Sequence, residues 1–440
     1  MNIKQKFARY VSQNILGMIG LSCYILADSF FISKAQGANG LTALNLVLPL
    51  YNLIFAIGSM IGVGAAIRYS IAKFTDAKEA DKYLPNALFF TTVIGLIFSM
   101  IGIFLPGQLL QLLGADAVIV EVGTSYTRIF MIFAPIFMWN YVANAYVRND
   151  GAPTVAMLAT LLSSLFNIIF DYILMFPLHM GMSGAALATA FSPIVGIGIC
   201  CIHLCSSKSH VKLKFCFPSI KRLWKSCQLG VSAFVAEMSS GVITIVFNFL
   251  ILGLAGNVGV AAYGVVANVS LVAVSVFNGI AQGSQPLISD SYGKKDMKAV
   301  HTLRNLSFIL SVVLAAVIYG LLFLFADHVI EVFNQDHNME FAAYARVGVK
   351  LYFTGIFFAG ANIVGSSFFS ATEKVREAFA VSMLRGFILI TISAFVMSAL
   401  FGMNGVWLAY MVAELSTCMV MVMFLVRGRG VMNEKKIASV

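Results

Sequence analysis

The sequence predicts an all-α integral membrane protein, built from twelve transmembrane helices that form two homologous bundles of six. Three observations lead to this fold class: an apolar composition, a series of long apolar runs, and an internal repeat. Of the 440 residues, 60% are hydrophobic and only 11% are charged, and the mean hydropathy is +0.89. Soluble domains carry about 25% charged residues, so the composition is that of a membrane protein.

Long apolar runs follow one another along the whole chain. A helix needs about 20 mainly apolar residues to cross the hydrocarbon core of a bilayer. Runs of that length lie at 11–33, 45–70, 84–106, 123–146, 154–176, 183–205, 228–253, 260–286, 303–325, 344–370, 379–401 and 404–426. Strand-length segments of alternating polarity are absent, which excludes a membrane barrel. The first run is too long for a signal-peptide core, so we expect it to remain in the mature protein.

The basic residues are distributed unevenly between these runs. With the N-terminus inside, all but four of the 29 Lys and Arg fall on inner segments or at inner helix ends. The exceptions are Lys34, Arg128, Arg346 and Lys350. Because basic residues concentrate on the cytoplasmic side, both termini are predicted to be cytoplasmic, in the plasma (inner) membrane of a prokaryote. The net charge of +10 is then a topology signal, and no nucleic-acid partner is expected.

An internal repeat divides the chain into halves. Residues 181–188 read GMSGAALA and residues 402–409 read GMNGVWLA, and the two segments are identical at five of eight positions. Tyr126 and Arg128 match Tyr344 and Arg346 at nearly the same offset, which is about half the length of the chain. The repeat predicts an N-lobe at 1–205, a basic cytoplasmic linker at 206–225 and a C-lobe at 226–440.

The repeat also bears on function. Each half has an even number of predicted spans, so both halves have the same orientation and are related by an axis along the membrane normal. Parallel repeats of this kind are typical of transporters, whose substrate site lies near mid-membrane. The chain has no Walker A sequence to bind a nucleotide. We therefore expect no cofactor and no enzymatic activity, but secondary transport driven by an ion gradient.

Acidic side chains within the predicted spans are candidates for the ion site. They are Asp28, Asp171, Glu237 and Glu414. A carboxylate at the bilayer centre costs about 2.5–3.5 kcal/mol, so such residues usually face a cavity or a partner. Asn167 lies four residues before Asp171, and therefore on the same helix face.

Two coupling ions suit these residues. Asp28, Asn167, Asp171 and Thr189 would present oxygen ligands and one amide, and oxygen ligands suit a hard cation such as Na⁺. Alternatively, two carboxyl groups close together in a low dielectric cannot both ionise easily, so they can share a proton. The sequence leaves H⁺ and Na⁺ open. No other metal site is expected, because Cys200, Cys201 and Cys205 lack further ligands to complete one.

Several motifs resemble those of the multidrug and toxic compound extrusion (MATE) family over essentially the whole chain. They are Gly37-Ala-Asn-Gly-Leu-Thr-Ala43, Gly62-Val-Gly-Ala-Ala66, Arg148-Asn-Asp-Gly151, Asn167-Ile-Ile-Phe-Asp171 and the duplicated G-x-x-G-x-x-L-A. The resemblance implies export of a drug cation in exchange for inward Na⁺ or H⁺, through rocking of two six-helix lobes.

The resemblance also implies a set of site residues. In the archaeal and DinF-like branch, an N-lobe cation site has an acid on the first helix, Asn and Asp on the fifth, and Thr on the sixth. The matching residues here are Asp28, Asn167, Asp171 and Thr189, with Ala185 offering a backbone carbonyl and Tyr126 beside the site. Glu237 matches an acid that the NorM-like branch uses on helix seven. The tenth predicted span has no acid, and the first has no proline, so neither a full C-lobe site nor a proline-dependent bend is predicted.

The resemblance further implies lipophilic organic cations or drugs as substrates. The chain contains 37 Phe, 15 Tyr and 21 Met, whose side chains bind cations and adapt to varied shapes. Met131, Met138, Met175 and Glu237 are the candidate cavity residues. We expect a monomer in contact with membrane lipid.

Other functions fit the sequence less well than export. The alternative within the same superfold is a lipid-linked oligosaccharide flippase, which needs a cationic cavity. A major-facilitator transporter would carry its own loop motif between the second and third spans, where residues 72–80 read AKFTDAKEA. Gly230-Val-Ser-Ala233 resembles an intramembrane protease motif, but the spans offer no histidine for it.

Overall fold

The computed structural model describes residues 2–212, 216–334 and 338–437, and these residues are almost entirely helical. Three residues of the predicted linker, 213–215, lie outside the described residues. The membrane helices are α1 (Ile3–Gly37), α2 (Asn39–Ala72), α3 (Ala77–Phe104), α4 (Ala117–Ile132 and Ala134–Asn149), α5 (Pro153–Met175), α6 (Gly181–Leu204), α7 (220–255), α8 (257–293), α9 (Met297–Phe333), α10 (Met339–Ala371), α11 (375–401) and α12 (403–437).

The long helices account for twelve membrane crossings. Within the described residues, nine helices are long and apolar enough to cross a membrane, and the two parts of α4, bent by 48°, make a tenth span. Two of the nine, Ile220–Gly293 and Val375–Arg427, have 74 and 53 residues, enough for two crossings each. They are broken by non-helical backbone at Gly256 and Gly402. With these breaks counted, each helix overlaps one predicted apolar run.

The breaks occur at equivalent positions in the two halves. Gly37 in the first half has a φ of +63°, and Gly256 in the second half has a φ of +59°. Gly181 (+53°) and Gly402 (+58°) form a second such pair, and each of these two begins one copy of the repeated G-x-x-G-x-x-L-A. Glycine adopts this left-handed backbone without the steric cost of a Cβ atom, so it lets the chain leave one helix and enter the next. The backbone therefore follows the offset of the sequence repeat.

The chain divides into two compact units, one formed by Met1–Met238 with Gln282–Leu303 and the other by Ser239–Ala281 with Arg304–Val440. The first unit includes one end of α7 and one end of α8. A Cβ atom on Gly64 of α2 would lie 1.9 Å from the carbonyl oxygen of Ser226, which shows how closely α7 approaches α2. The predicted lobe boundary at 206–225 stays a prediction.

Each unit has its own apolar core. In the first unit, α1, α2, α4 and α6 contribute to a buried cluster that includes Ile32, Tyr126, Phe130 and Met138. In the second unit, α8, α9 and α10 pack through Ala262, Val265, Ile330, Phe341 and Ala345. These cores hold the helices that carry the polar side chains described next.

Candidate functional site

Two carboxyl groups meet inside the first unit. Asp28 lies on α1 and Asp171 on α5, and their side chains are within hydrogen-bonding distance of each other. Asp171 is fully buried and Asp28 is 8% exposed. A hydrogen bond between two carboxyl groups requires a proton on one of them, so this geometry is compatible with a shared proton. We call Asp28 and Asp171 the carboxylate pair.

Asn167 connects the carboxylate pair to α6. With its amide oriented to satisfy both neighbours, its Nδ2 donates to Asp171 Oδ2 at 2.9 Å. Its Oδ1 accepts from the hydroxyl of Thr189 at 3.2 Å and from the Thr189 backbone N–H at 3.3 Å. The spacing of four residues predicted from sequence therefore places Asn167 beside Asp171, and α6 supplies the second partner.

The local structure of α6 explains the position of Thr189. Pro193 has no N–H, so the Thr189 carbonyl lacks its usual helical donor four residues later. The hydroxyl of Ser192 donates to that carbonyl at 3.2 Å instead. In a regular helix the Thr189 N–H donates to the carbonyl of Ala185. Here the amide oxygen of Asn167 competes with that carbonyl for the same N–H. Ala185 is fully buried one turn before Thr189, and its predicted role as a carbonyl ligand stays a prediction.

The carboxylate pair retains unused acceptor capacity. The Oδ1 atoms of Asp28 and Asp171 are both buried and have no hydrogen-bond partner among the described residues. Within that same part of the chain, no Lys or Arg forms an ion pair with either residue. A buried acceptor without a partner is costly, and an unpaired buried charge costs more. The pair is therefore suited to accept a proton or a small cation.

A pair of tyrosines lies within electrostatic range of both carboxyl groups. The hydroxyls of Tyr126 on α4 and Tyr51 on α2 are 2.6 Å apart. Tyr51 also stacks on Phe130, with a distance of 3.6 Å between ring centroids. The predicted neighbour Tyr126 thus belongs to an aromatic cluster near the carboxylate pair, and Tyr51 was not found from sequence.

Comparison with known proteins identifies the family. The sequence matches the family described as MatE over residues 14–173 and 233–396, which is most of the chain. The chain belongs to the MatE family. Its two matched segments correspond to the two halves of the repeat.

Similar proteins extend over nearly the same length as this MatE chain. Multidrug export protein MepA of Staphylococcus saprophyticus is 24% identical over 94% of this chain and 92% of its own length. MepA of Staphylococcus aureus is 26% identical over 94% of this chain and 91% of its own length.

Solved structures share the fold. An outward-facing multidrug resistance MATE family transporter of the MOP superfamily superimposes with a TM-score of 0.91, covering 100% of this chain and 98% of the other, at 20% identity. A MOP superfamily transporter from Pyrococcus furiosus gives 0.89, covering 96% and 95%, also at 20% identity. With the helices described above, this likeness confirms the predicted fold of twelve helices in two bundles.

The predicted substrate residues of the MatE chain lie in two settings. Met131, Met138 and Met175 are buried in the apolar core of the first unit. Glu237 on α7 is half-buried and accepts a hydrogen bond from Tyr141 on α4 at 3.4 Å. No structural observation tests a substrate contact for these four residues, so their role stays a prediction.

The Arg148-Asn-Asp-Gly151 motif forms polar contacts at the end of α4. Arg148 donates to Gln282 of α8, and Asn149 accepts from Ser70 of α2 at 2.8 Å. Asp150 is 3.0 Å from Nε2 of His203. This motif therefore links α4 to α2, α6 and α8 within the first unit.

One buried ion pair was missed from sequence. Arg385 was assigned to an inner helix end, but it lies well inside α11, where its guanidinium contacts Glu414 of α12 at 2.9 Å. Asn362 of α10 donates to the same carboxylate at 2.7 Å. The acid and the arginine lie on different helices, so no spacing within one helix could have joined them.

Proposed function

We propose that this MatE protein is a secondary active exporter of lipophilic cationic drugs that exchanges them for H⁺ or Na⁺. Its multi-pass helical structure suits the plasma membrane, with both termini in the cytoplasm and a monomer surrounded by lipid. The similarity to multidrug export proteins along nearly the full chain supports this function.

The observation that carries the proposal is the carboxylate pair with its two unpaired oxygens. The buried Oδ1 atoms of Asp28 and Asp171 lack partners among the described residues, while Asn167 fixes one of the carboxylates against α6. Intramembrane acids in such a state mark ion or proton pathways. The arrangement supports coupling because the occupied and empty states differ in charge.

Coupling follows from that charge difference. When the pair holds a proton or Na⁺, its negative charge is offset, and α1 and α5 can remain together in a low dielectric. When the ion leaves, repulsion between Asp28 and Asp171 favours a different arrangement of these helices. A ligand that binds one arrangement more tightly shifts the equilibrium toward it. Alternating access by rocking of the two lobes would use this shift to release the drug.

Substrate binding would use the aromatic cluster near the pair. The cluster contains Tyr51, Phe55, Phe130 and Phe137. The centroids of every pair of these four rings are 3.6 to 6.4 Å apart. Aromatic faces attract organic cations, and buried Met131 and Met138 beside them can repack around ligands of different shape. The cluster therefore suits bulky apolar cations better than one specific ligand.

Efflux of a fluorescent cationic dye from cells tests the proposed function. The native chain should lower dye accumulation, and Asp28→Asn and Asp171→Asn should each return accumulation to the level of cells without the protein. Asp327→Asn is the matched control, because Asp327 is exposed and pairs only with the exposed Arg346 among the described residues. Undiminished efflux in both site variants would rule out the carboxylate pair as the coupling site.

A further inference from the structure

The second unit contains a carboxylate whose two oxygens are both engaged. Glu414 on α12 is 2% exposed, and Arg385 contacts its Oε1 through Nε at 3.0 Å and through Nη2 at 2.9 Å. Asn362 Nδ2 donates to Oε2 at 2.7 Å and to the Glu414 backbone carbonyl at 2.8 Å. Tyr410 also hydrogen-bonds with Arg385.

These three residues lie deep within their helices. Arg385 is the eleventh residue of α11, Glu414 is the twelfth of α12, and Asn362 precedes the end of α10 by nine residues. At 1.5 Å per residue, each is roughly 15 Å from a helix end, which is about half the thickness of the hydrocarbon core. An ion pair at this depth cannot be explained as a surface contact.

The backbone of α11 is adapted to present the arginine. Residues Leu384–Ile388 form a π-helical turn, and Arg385 lies within it. Such a turn inserts one residue into a helix and is frequently found at functional sites. It rotates the side chain relative to a regular helix, which places the guanidinium at Glu414.

The polar groups around Glu414 match those around Asp171. In both places an asparagine from a neighbouring turn or helix donates through Nδ2 to a buried carboxylate, at 2.9 Å from Asn167 and 2.7 Å from Asn362. In both places a buried acceptor oxygen remains without a partner among the described residues: Oδ1 of Asp171, and Oδ1 of Asn362. The two sites differ in that an arginine neutralises only Glu414.

We propose that Glu414 and Asn362 form a second site for a small cation, and that Arg385 fills it permanently with its guanidinium. The arginine takes the place of a transported proton or Na⁺, because its charge satisfies the carboxylate and never leaves the chain. The site at Glu414 is thus kept neutral throughout transport, and coupling ions bind only at the carboxylate pair. Arg385 therefore limits how many ions accompany each substrate molecule, an inference that rests on the proposed exporter function.

Removing the arginine should expose the site to external cations. The test uses the full chain in detergent with Asp28→Asn and Asp171→Asn as the parent, so that the first site is silent. The midpoint of thermal unfolding is measured in sodium chloride and in choline chloride of equal ionic strength, at mildly alkaline and mildly acidic pH. Adding Arg385→Met should produce a rise in the midpoint with Na⁺ or with protons that the parent lacks, because either cation binds the vacated carboxylate.

Two further variants test whether that response comes from cation binding at Glu414. Adding Glu414→Gln to Arg385→Met should remove the response, and Arg385→Lys should leave the parent's behaviour unchanged because a fixed cation is retained. If the ion pair were purely structural, Arg385→Met would instead lower the midpoint of unfolding by the same amount in every buffer. Equal responses in the Arg385→Met variant with and without Glu414→Gln would overturn the proposal.

Dye transport provides a measurement that does not require the Arg385→Met variant to fold. In the otherwise native chain, the neutral double variant Arg385→Met/Glu414→Gln should keep gradient-driven dye efflux, with the same ratio of ions to dye. Loss of gradient-driven efflux in that variant, while the native chain in the same assay retains it, would overturn the proposal without affecting the proposed exporter function.

Discussion

The two buried carboxylate centres of the protein are built from similar groups but carry different charge. The carboxylate pair of Asp28 and Asp171 has an asparagine donor, two unpaired oxygens and no Lys or Arg partner among the described residues. Glu414 also has an asparagine donor, but its carboxylate forms an ion pair with Arg385. On the proposals above, the first centre changes its charge during a transport cycle, whereas the second stays neutral.

This difference shows where the chain accepts an energetic cost. A carboxylate without a compensating cation is expensive inside a membrane, and an arginine partner would remove much of that expense. The second unit uses such a partner and the first does not. We infer that Asp28 and Asp171 remain buried without a basic partner, despite the energetic cost, because an ion must bind and leave there.

The largest expected effect separates the two centres by function. Replacing both members of the carboxylate pair by asparagine should abolish gradient-driven dye efflux, because no group remains to change charge. Replacing Glu414 and Arg385 together by Gln and Met should leave efflux dependent on the gradient. Dye efflux from proteoliposomes measures both, and the comparison fails if the second double variant is uncoupled as fully as the first.

The next effect concerns stability at the ion pair. Glu414→Gln alone leaves the Arg385 guanidinium buried without its counter-charge, which should lower the free energy of unfolding by about 3–5 kcal/mol. Adding Arg385→Met should recover most of that loss, because the site is then neutral. Chemical unfolding in detergent measures the difference. A double variant as unstable as Glu414→Gln would show that the loss does not come from the uncompensated charge.

Sequence predicted the first centre better than the second, for a physical reason. Asn167 and Asp171 are four residues apart, so the helical period alone puts them on one face, and Ala185 and Thr189 follow the same spacing. Their meeting with Asp28 was implied only by family resemblance, because contacts between helices leave no periodic signal. Arg385 looked like an inner-end residue, since the predicted span began at 379 while α11 begins at Val375. The π-turn that directs it to Glu414 has no signature in the sequence.

A moderate effect is expected from the amide that positions Asp171. Asn167→Ala removes the donor to Oδ2 of Asp171 and the acceptor for Thr189, but it keeps both carboxyl groups. Loss of a side chain that orients a metal ligand typically weakens metal binding 10–100-fold, so the ion concentration for half-maximal efflux should rise by about that factor. Asn362→Ala, the matched change at Glu414, should leave that concentration unaltered. An equal shift in both variants would remove the distinction between the centres.

The smallest effect is expected at the tyrosine pair. Tyr51→Phe removes one hydroxyl of the 2.6 Å contact with Tyr126 and keeps the stacking on Phe130. The free energy of unfolding should fall by about 1 kcal/mol, the usual contribution of one hydrogen bond. Coupling should persist, because neither hydroxyl carries the transported charge. Loss of ion dependence in this variant would place Tyr51 within the coupling site.

Imposed gradients tested one at a time address the central claim most directly. Proteoliposomes are loaded with a cationic dye, and either a pH gradient or a Na⁺ gradient is applied while dye efflux is recorded. The native chain should respond to one of the two gradients, and Asp171→Asn should respond to neither while still binding the dye. A native-like response to the same gradient in Asp171→Asn would contradict the assignment of ion coupling to the carboxylate pair.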